Sequence, residues 1–406
     1  MPLSYGRLLA GGTPRDEELF RAKIAERLGT DIVATPIGRA RSGIYVLAKV
    51  AMGGGRRKVL MSPFTIPDVV TMVTLAGGEP VFFDFEPDST FCSLDSLRIL
   101  IDNDTACVFI THYHVNEPRL LEIAELCRTN GAYLFDDCAL AFGGSVDDRP
   151  IGTLTDASVF SFSSFKLLNY FWGGMITTRD RQIAKIIETT VAQWPRLGAR
   201  DYVLPARACL KYDLASSPPL FGSLVFPLIK NRLKRSTRDG GLEYIRIETD
   251  SLNPTLTSRP SLSAFAEWWP KLDRVDGWLA HRRAIAGIYR QGIGRHMVSG
   301  NTPETILKGS CFVNFPVIVP RERCGEISRA IMLSGYDVGR SLYPNAHRHP
   351  KFTKVVGQSD NVDRLVNSTI YLPTHFGVSE AYAEAIAERL ASEISLAAEP
   401  ISEPVG

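Results

Sequence analysis

Residues 134–180 read LFDDCALAFGGSVDDRPIGTLTDASVFSFSSFKLLNYFWGGMITTRD. Two short apolar runs, 132–136 and 157–162, lead into polar side chains: Asp137 follows the first, and serines close the second. Lys166 comes next, then the pair Gly173-Gly174, then a third run at 174–178. Short apolar runs rich in aromatic and β-branched residues predict strands buried on both faces. Similar runs lie upstream at 58–62, 81–85 and 106–111. Helix-compatible stretches separate several of them, notably 42–51 and 118–130; in the latter, Leu120, Leu121, Ile123, Ala124 and Leu126 leave a polar face of Glu and Arg. This alternation predicts an α/β layered domain. Ligands of open α/β sheets gather outside the strand ends, which directs attention to Asp137 and the serines after Phe160.

From about residue 261 the pattern changes to a long helical segment, 262–291, then a mixed region and a helix near 379–392. We expect a large domain over 1–258 and a smaller C-terminal α/β domain over 259–406, ending in a frayed, proline-containing tail. Residues 194–258 look like an insertion in the large domain. Within it, 218–238 (PPLFGSLVFPLIKNRLKRSTR) carries Phe221, Leu224, Val225, Leu228, Ile229 and Leu233 at helical spacing beside Lys230, Arg232, Lys234, Arg235 and Arg238. The run falls short of the ~20 residues a bilayer span requires, and Pro227 predicts a kink. A helical insertion packed on its own fold or on a dimer partner is the first reading. Peripheral membrane contact through 218–238 is the second.

The 406 residues hold 46 Lys+Arg against 44 Asp+Glu, a formal net charge of +2, which argues against nucleic acid as the main partner. Seven scattered cysteines without a C-x-x-C pair predict reduced thiols rather than disulfides or a zinc ribbon. The first residues lack the apolar core of a signal peptide, so a cytoplasmic protein is expected, with the inner membrane surface as the second reading. His112-x-His114 and His347-x-His349 each place two imidazoles on one side of an expected strand, but neither has a Cys or carboxylate at a familiar spacing, so no metal is assigned. Gly53-Gly54-Gly55 lacks the G-K-[ST] ending of a P-loop and reads as a loop before a strand.

A strand-end carboxylate, strand-end serines and a lysine before a glycine pair suit pyridoxal phosphate (PLP). That cofactor needs an amine for its Schiff base, a carboxylate to keep the pyridine nitrogen protonated, and donors for its phosphate. Lys166, Asp137 and Ser161 could supply them. Taken singly, a strand-end Asp is commonly a helix cap and a loop Lys a solvated charge; their combination carries the reading.

The stretch resembles the DegT/DnrJ/StrS family of PLP-dependent sugar aminotransferases, whose pattern reads roughly E-D-A-A-Q-A-x-G-A, then G-D, then F-S-F-x-x-x-K, then G-G. Asp136-Asp137-Cys138-Ala139-Leu140-Ala141-Phe142-Gly143-Gly144, Thr155-Asp156 and Phe160-Ser161-Phe162-Ser163-Ser164-Phe165-Lys166 match in order and spacing. Arg41-Ser42-Gly43-Ile44 looks like the family's S-G-T phosphate loop, and Ser62-Pro63-Phe64-Thr65 with 76–84 like its P-x-F-T-F segment and the strand after it. Arg259-Pro260-Ser261, Arg282-Arg283, Tyr343-Pro344 with His347, and Leu372-Pro373-Thr374-His375 echo its R-M-S, R-R, Y-P-x-x-H and L-P-x-H signatures.

The resemblance implies a fold-type-I PLP enzyme with a large, mostly parallel mixed sheet, acting as a homodimer. The implied reaction moves an amino group from an amino acid, glutamate by preference, to a keto sugar such as a nucleotide-linked 4-keto-6-deoxysugar. Lys166 and Asp137 would be catalytic. Ser42, Gly43, Ile44, Ile66, Leu140 and Ser161 would surround the cofactor with them. His347, Tyr343 and Arg259 would meet substrate, Arg259 by reaching across from the partner. Three positions depart from the family: Ile44 replaces a threonine, Leu140 a glutamine, and Ile66 an aromatic that stacks on the ring. Each lost neutral hydrogen bond weakens binding by only ~1 kcal/mol, so PLP is expected to be retained. The departures leave open a non-catalytic protein on the same scaffold. The 218–238 segment leaves open an enzyme at the membrane surface acting on a bulky or lipid-linked ketone.

Overall fold

The structure is a computed structural model that describes residues 5–235, 250–340 and 342–398. Its strands are β1 Val33–Ile37, β2 Lys58–Met61, β3 Glu79–Phe82, β4 Thr105–Thr111, β5 Tyr133–Asp137, the small hairpin β6 Ser145–Val146 with β7 Arg149–Pro150, β8 Ala157–Ser161 and β9 Gly174–Thr178. Seven of them form one sheet in the order β1-β9-β8-β5-β4-β2-β3. Strands β2, β3, β4, β5 and β8 run parallel, and β9 runs against both of its neighbours. All six expected runs are strands, with ends that differ from the expected ones by at most three residues. The unexpected strand is β1, whose Pro36 argues against a sheet position until its place is known. It is the sheet's edge, where a residue without an N–H loses no second ladder.

Side chains alternate across this sheet into two apolar clusters. Leu134 and Phe160 point into one, Phe135 and Val159 into the other. Helix Ala40–Ala51 packs on the second face, and Gly43 lets it approach. A Cβ at that position would stand 2.9 Å from Ile37 Cδ1 and from both Val159 methyls. Valine has no flexible end to swing aside, so Gly43→Ala is expected to cost about 1–3 kcal/mol by overpacking. A denaturant midpoint equal to that of the wild type would contradict this.

The C-terminal strands β10 Asn314–Ile318, β11 Gly339–Arg340 and β12 Thr369–Pro373 make a separate antiparallel sheet, order β10-β12-β11. Helices Val275–Ile293, Cys324–Leu333 and Glu380–Ala398 pack with it. We propose a division between the two units near residue 258. The expected continuous helix 262–291 is broken into Leu262–Trp268, a 3-10 turn Trp269–Arg274, and Val275–Ile293. Pro270 is the cause: it lacks the N–H and restrains the residue before it. Leu262–Trp268 packs back on Pro14–Leu28.

The inserted segment is helical, with a π-turn at Phe221–Val225 before helix Phe226–Arg235. The irregularity falls just before Pro227, whose missing N–H the longer turn accommodates. Leu233 is buried and the segment's end packs near Cys324–Leu333, while Leu224 and Leu228 are exposed. After the insertion the chain clasps the start of helix Ala40–Ala51: the Gly38 N–H donates to the Ser258 carbonyl at 2.7 Å, and the Ser42 hydroxyl to the Leu256 carbonyl at 2.5 Å. All seven cysteines are free. No helix among the described residues is long and apolar enough to cross a membrane.

Candidate active site

A cleft of about 970 Å³ opens where β5 and β8 end, and its wall includes Asp137, Ser161 and Lys166. Asp137 is the last residue of β5; its buried carboxylate accepts the Ala139 N–H at 3.0 Å. Burial raises its pKa above the ordinary aspartate range, and Asp136 adds to this. The Ala139 amide, Lys166 and His112 oppose it. Asp137 and Lys166 are thus close enough for each charge to bear on the other.

Lys166 sits on the irregular loop after β8. The loop is closed by the Tyr170 N–H on the Phe162 carbonyl and the Lys166 N–H on the Ser163 carbonyl, both at 2.9 Å. Lys271 braces its far side, donating to Asn169 O and Oδ1 at 2.8 and 2.6 Å and pairing with Glu267 at 2.7 Å. Desolvation pulls the Lys166 amine down to about 8; Arg282 pushes the same way and Asp137 opposes. Acylation of Lys166 in cofactor-free protein is therefore expected to rise around pH 8 rather than at the ~10.4 of a free lysine. A midpoint near the free value would refute it. Between those two pH values the unfolded chain binds the extra proton, so this group's contribution makes the fold more stable as pH rises.

One wall of the cleft is formed by the start of helix Ala40–Ala51, and only part of what the sequence suggested there lines it. Ser42 spends its hydroxyl on Leu256 and Gly43 packs against β8, so neither residue lines the cleft. Ile44 does line it as suggested, together with Arg39 and Arg41. The Arg39 guanidinium lies 3.5 Å above the centre of the Trp172 ring. Its pKa falls to about 9 through burial, with Arg41 adding to the effect. Arg41 itself pairs with Asp68. Ser161 and Ser163 hydroxyls stand 3.4 Å apart on the facing wall.

Ile66, Leu140 and Tyr343 line the cleft as expected residues, Tyr343 within an aromatic group with Phe64 and Tyr113 at 5.4 and 5.8 Å. Arg259 and His347 are not brought to this cleft. The Arg259 Nε donates to the Trp194 carbonyl at 2.9 Å; the His347 Nδ1 lies 3.1 Å from Ser359 Oγ, with its ring against Phe82.

Sequence reasoning missed Arg39, Tyr113 and the insertion's Cys209, Tyr212 and Asp213, which close one side of the cleft. Two histidine expectations need correction. His112 and His114 follow β4 in a loop, and His347 lies in the 3-10 turn Ala346–Arg348, so neither pair shares a strand. His112 also has the companions its sequence neighbours lack: folding brings Asp136 and Cys138 to it, with ligand-type atoms all within 4.8 Å. His112 Nε2 is 3.5 Å from Asp136 Oδ2, and His112 Nδ1 accepts the Glu117 N–H. Strand alternation puts Asp136 on the face of β5 opposite Asp137.

A mostly parallel sheet with an acid at the end of β5 and a lysine on the loop after the neighbouring β8, beside a separate C-terminal sheet, fits the fold-type-I class of PLP-dependent enzymes. A family model described as the DegT/DnrJ/EryC1/StrS aminotransferase family matches residues 11–194 and 268–391. The chain belongs to that family. It is 31% identical over 168 residues to a GDP-perosamine synthase of Vibrio cholerae, covering 39% of this chain and 46% of that protein. It is 29% identical over 168 residues to a dTDP-4-dehydro-2,3,6-trideoxy-D-glucose 4-aminotransferase of Saccharopolyspora spinosa, covering 41% and 43%. The match to each of these two spans less than half of its length. Among solved structures, the aminotransferase TlmJ of Streptoalloteichus hindustanus has a similar fold, with a TM-score of 0.71, 21% identity and 98% of both chains covered.

Proposed function

We propose that this chain binds PLP and moves an amino group from an amino acid, glutamate by preference, to a nucleotide-linked keto sugar. The observation that carries the reading is the placement of Lys166 and Asp137 in one cleft at the ends of neighbouring strands. The residues suit the cofactor. Asp137 would hold the proton on the ring nitrogen, Lys166 would hold the aldehyde end, and Ser161 with the start of helix Ala40–Ala51 would take the phosphate. When bound, PLP supplies the electron sink that lets a proton leave the carbon bearing the amine. Lys166 Nζ, drawn toward neutrality by burial, would accept that proton and return it. Ile44, Leu140 and Ile66 exclude water from the cleft without adding donors. The presence of both reactive groups favours catalysis over the non-catalytic alternative.

The two named relatives' substrates, by their names, are nucleotide-linked sugars, which supports the same class here. Purified protein should form 2-oxoglutarate when given PLP, glutamate and a suitable member of a panel of nucleotide-linked keto sugars. No product with any member would reject the acceptor class. We place the working form as a homodimer, in which Arg259, turned away from its own cleft, could serve the partner's.

A second reading, membrane-surface action, rests on residues 218–238, of which 236–238 lie outside the described residues; 218–235 carry Lys230, Arg232, Lys234 and Arg235 and no carboxylate, with Leu224 and Leu228 exposed beside them. Sedimentation with phosphatidylserine vesicles, lost on neutralising the four cations, is the expected result. A lack of binding at low salt ends this reading.

A further inference from the structure

Arg39 is the last residue before helix Ala40–Ala51; it lines the cleft, and its guanidinium stands over the Trp172 ring. Among the described residues no acceptor meets that guanidinium. Its Nε is buried without a hydrogen-bond partner, and the acid in reach of the helix start, Asp68, bonds Arg41 instead. The ring beneath supplies attraction but no acceptor, so the cation is steadied with its donors unanswered. A cation drawn from water without a counter-ion is costly to keep, and an arriving anion offsets that cost.

Strand pairing fixes where the anion must lie. Ile37, Gly174 and Ser161 stand in a row across β1, β9 and β8. Arg39 follows Ile37 by two residues, and Trp172 precedes Gly174 by two. A Cβ on Gly174 would stand 3.0 Å from the Ala40 nitrogen, so the helix start abuts the end of the sheet beside Ser161. The two hydroxyls that the family resemblance implies at this helix start are both lacking from the cleft. Ile44 has none, and Ser42 gives its own to the Leu256 carbonyl.

We infer that Arg39, steadied by Trp172, takes the place of those hydroxyls and pairs with the phosphate monoester of PLP. A phosphate offers its oxygens in pairs, and the planar fork of a guanidinium matches two of them at once. A charge-assisted hydrogen bond is roughly twice as strong as a neutral one, so a single arginine offsets the loss of both hydroxyls. Ser161 and the open N–H groups of the helix start complete the cup. The departure at Ile44 is thus compensated within the same turn of chain, by a residue type that no hydroxyl motif contains. The competing anion is the diphosphate of a nucleotide-linked acceptor, and the test below distinguishes it.

This inference rests on the proposed use of PLP, and the experiment separates the two. Cofactor-free protein is titrated with PLP and, separately, with pyridoxal, which has the same ring and aldehyde but no phosphate. The visible band of the lysine-bound aldehyde gives an apparent Kd for each. Arg39→Met should raise the Kd for PLP by about 10- to 100-fold, the range of a lost charge-assisted pair, and leave that for pyridoxal unchanged. Inorganic phosphate should compete with PLP in the wild type and lose most of that effect in Arg39→Met. Arg39→Lys, which keeps the charge without the fork, should recover part of the loss. Trp172→Leu should show a smaller loss, again confined to PLP; a loss shared by pyridoxal removes Trp172 from the positioning role. Should Arg39→Met fail to fold, Arg39→Gln carries the same comparison. Unchanged PLP affinity, or equal losses for PLP and pyridoxal, overturns the assignment. So does a variant that binds PLP as the wild type does but loses affinity for dTDP, which gives Arg39 to the acceptor's phosphates. A wild type that binds both aldehydes without preferring PLP rejects the phosphate contact alone; one that binds neither rejects the PLP reading and this inference together.

Discussion

Lys166→Ala is expected to lose the visible absorption band of the lysine-bound cofactor and to lower kcat by at least about 10³- to 10⁴-fold. The size follows from two separate losses at one atom: the covalent hold on the cofactor and the base that moves the donor's proton. The fold should survive. The loop is closed by backbone hydrogen bonds at Lys166 and Tyr170 and braced by Lys271 through Asn169, and none of these uses the lysine side chain. Desolvation of the ammonium outweighs its attraction to Asp137 and opposes folding, so the alanine variant should melt no lower than the wild type. Retained turnover at more than a hundredth of the wild-type rate would remove Lys166 from the centre of the mechanism.

Asp137→Asn is the second large effect, an expected loss of about 10²- to 10³-fold in kcat, the scale of one lost electrostatic partner in a water-poor site. The amide keeps the size of the side chain and can still accept the Ala139 N–H, so the backbone turn after β5 should hold. What disappears is the negative charge. Cofactor affinity should fall less than turnover, because Lys166 and Ser161 are untouched. The acid limb of the wild-type rate profile should also lie above the ordinary aspartate range, since burial raises the Asp137 pKa and activity needs the ionised form. A rate within threefold of wild type for the asparagine variant, measured at saturating PLP, would refute the assigned role.

The sheet was legible because β2, β3, β4, β5, β8 and β9 are short apolar runs, a pattern few other structures produce. The edge strand β1 was hidden by Pro36, a residue whose cost depends on how many neighbours a strand has, which no local pattern reveals. Lys166, Asp137 and Ser161 were readable in order along 47 residues. The phosphate end was read by residue type and only partly survives as side-chain contacts. Ser42 finds its acceptor at Leu256, 214 positions away, and a motif does not foresee such a competitor. Arg39 escaped notice for the converse reason: only tertiary structure sets Trp172 beneath it and leaves it on the cleft wall.

The clasp between residues 256–258 and the beginning of helix Ala40–Ala51 sets a limit on surgery. A deletion that removes Leu256 to Ser258 frees Gly38 and Ser42 together. Such a chain should take up pyridoxal phosphate more weakly than the intact one. The closing residues of the inserted stretch thus pin the helix start on which the cleft is built.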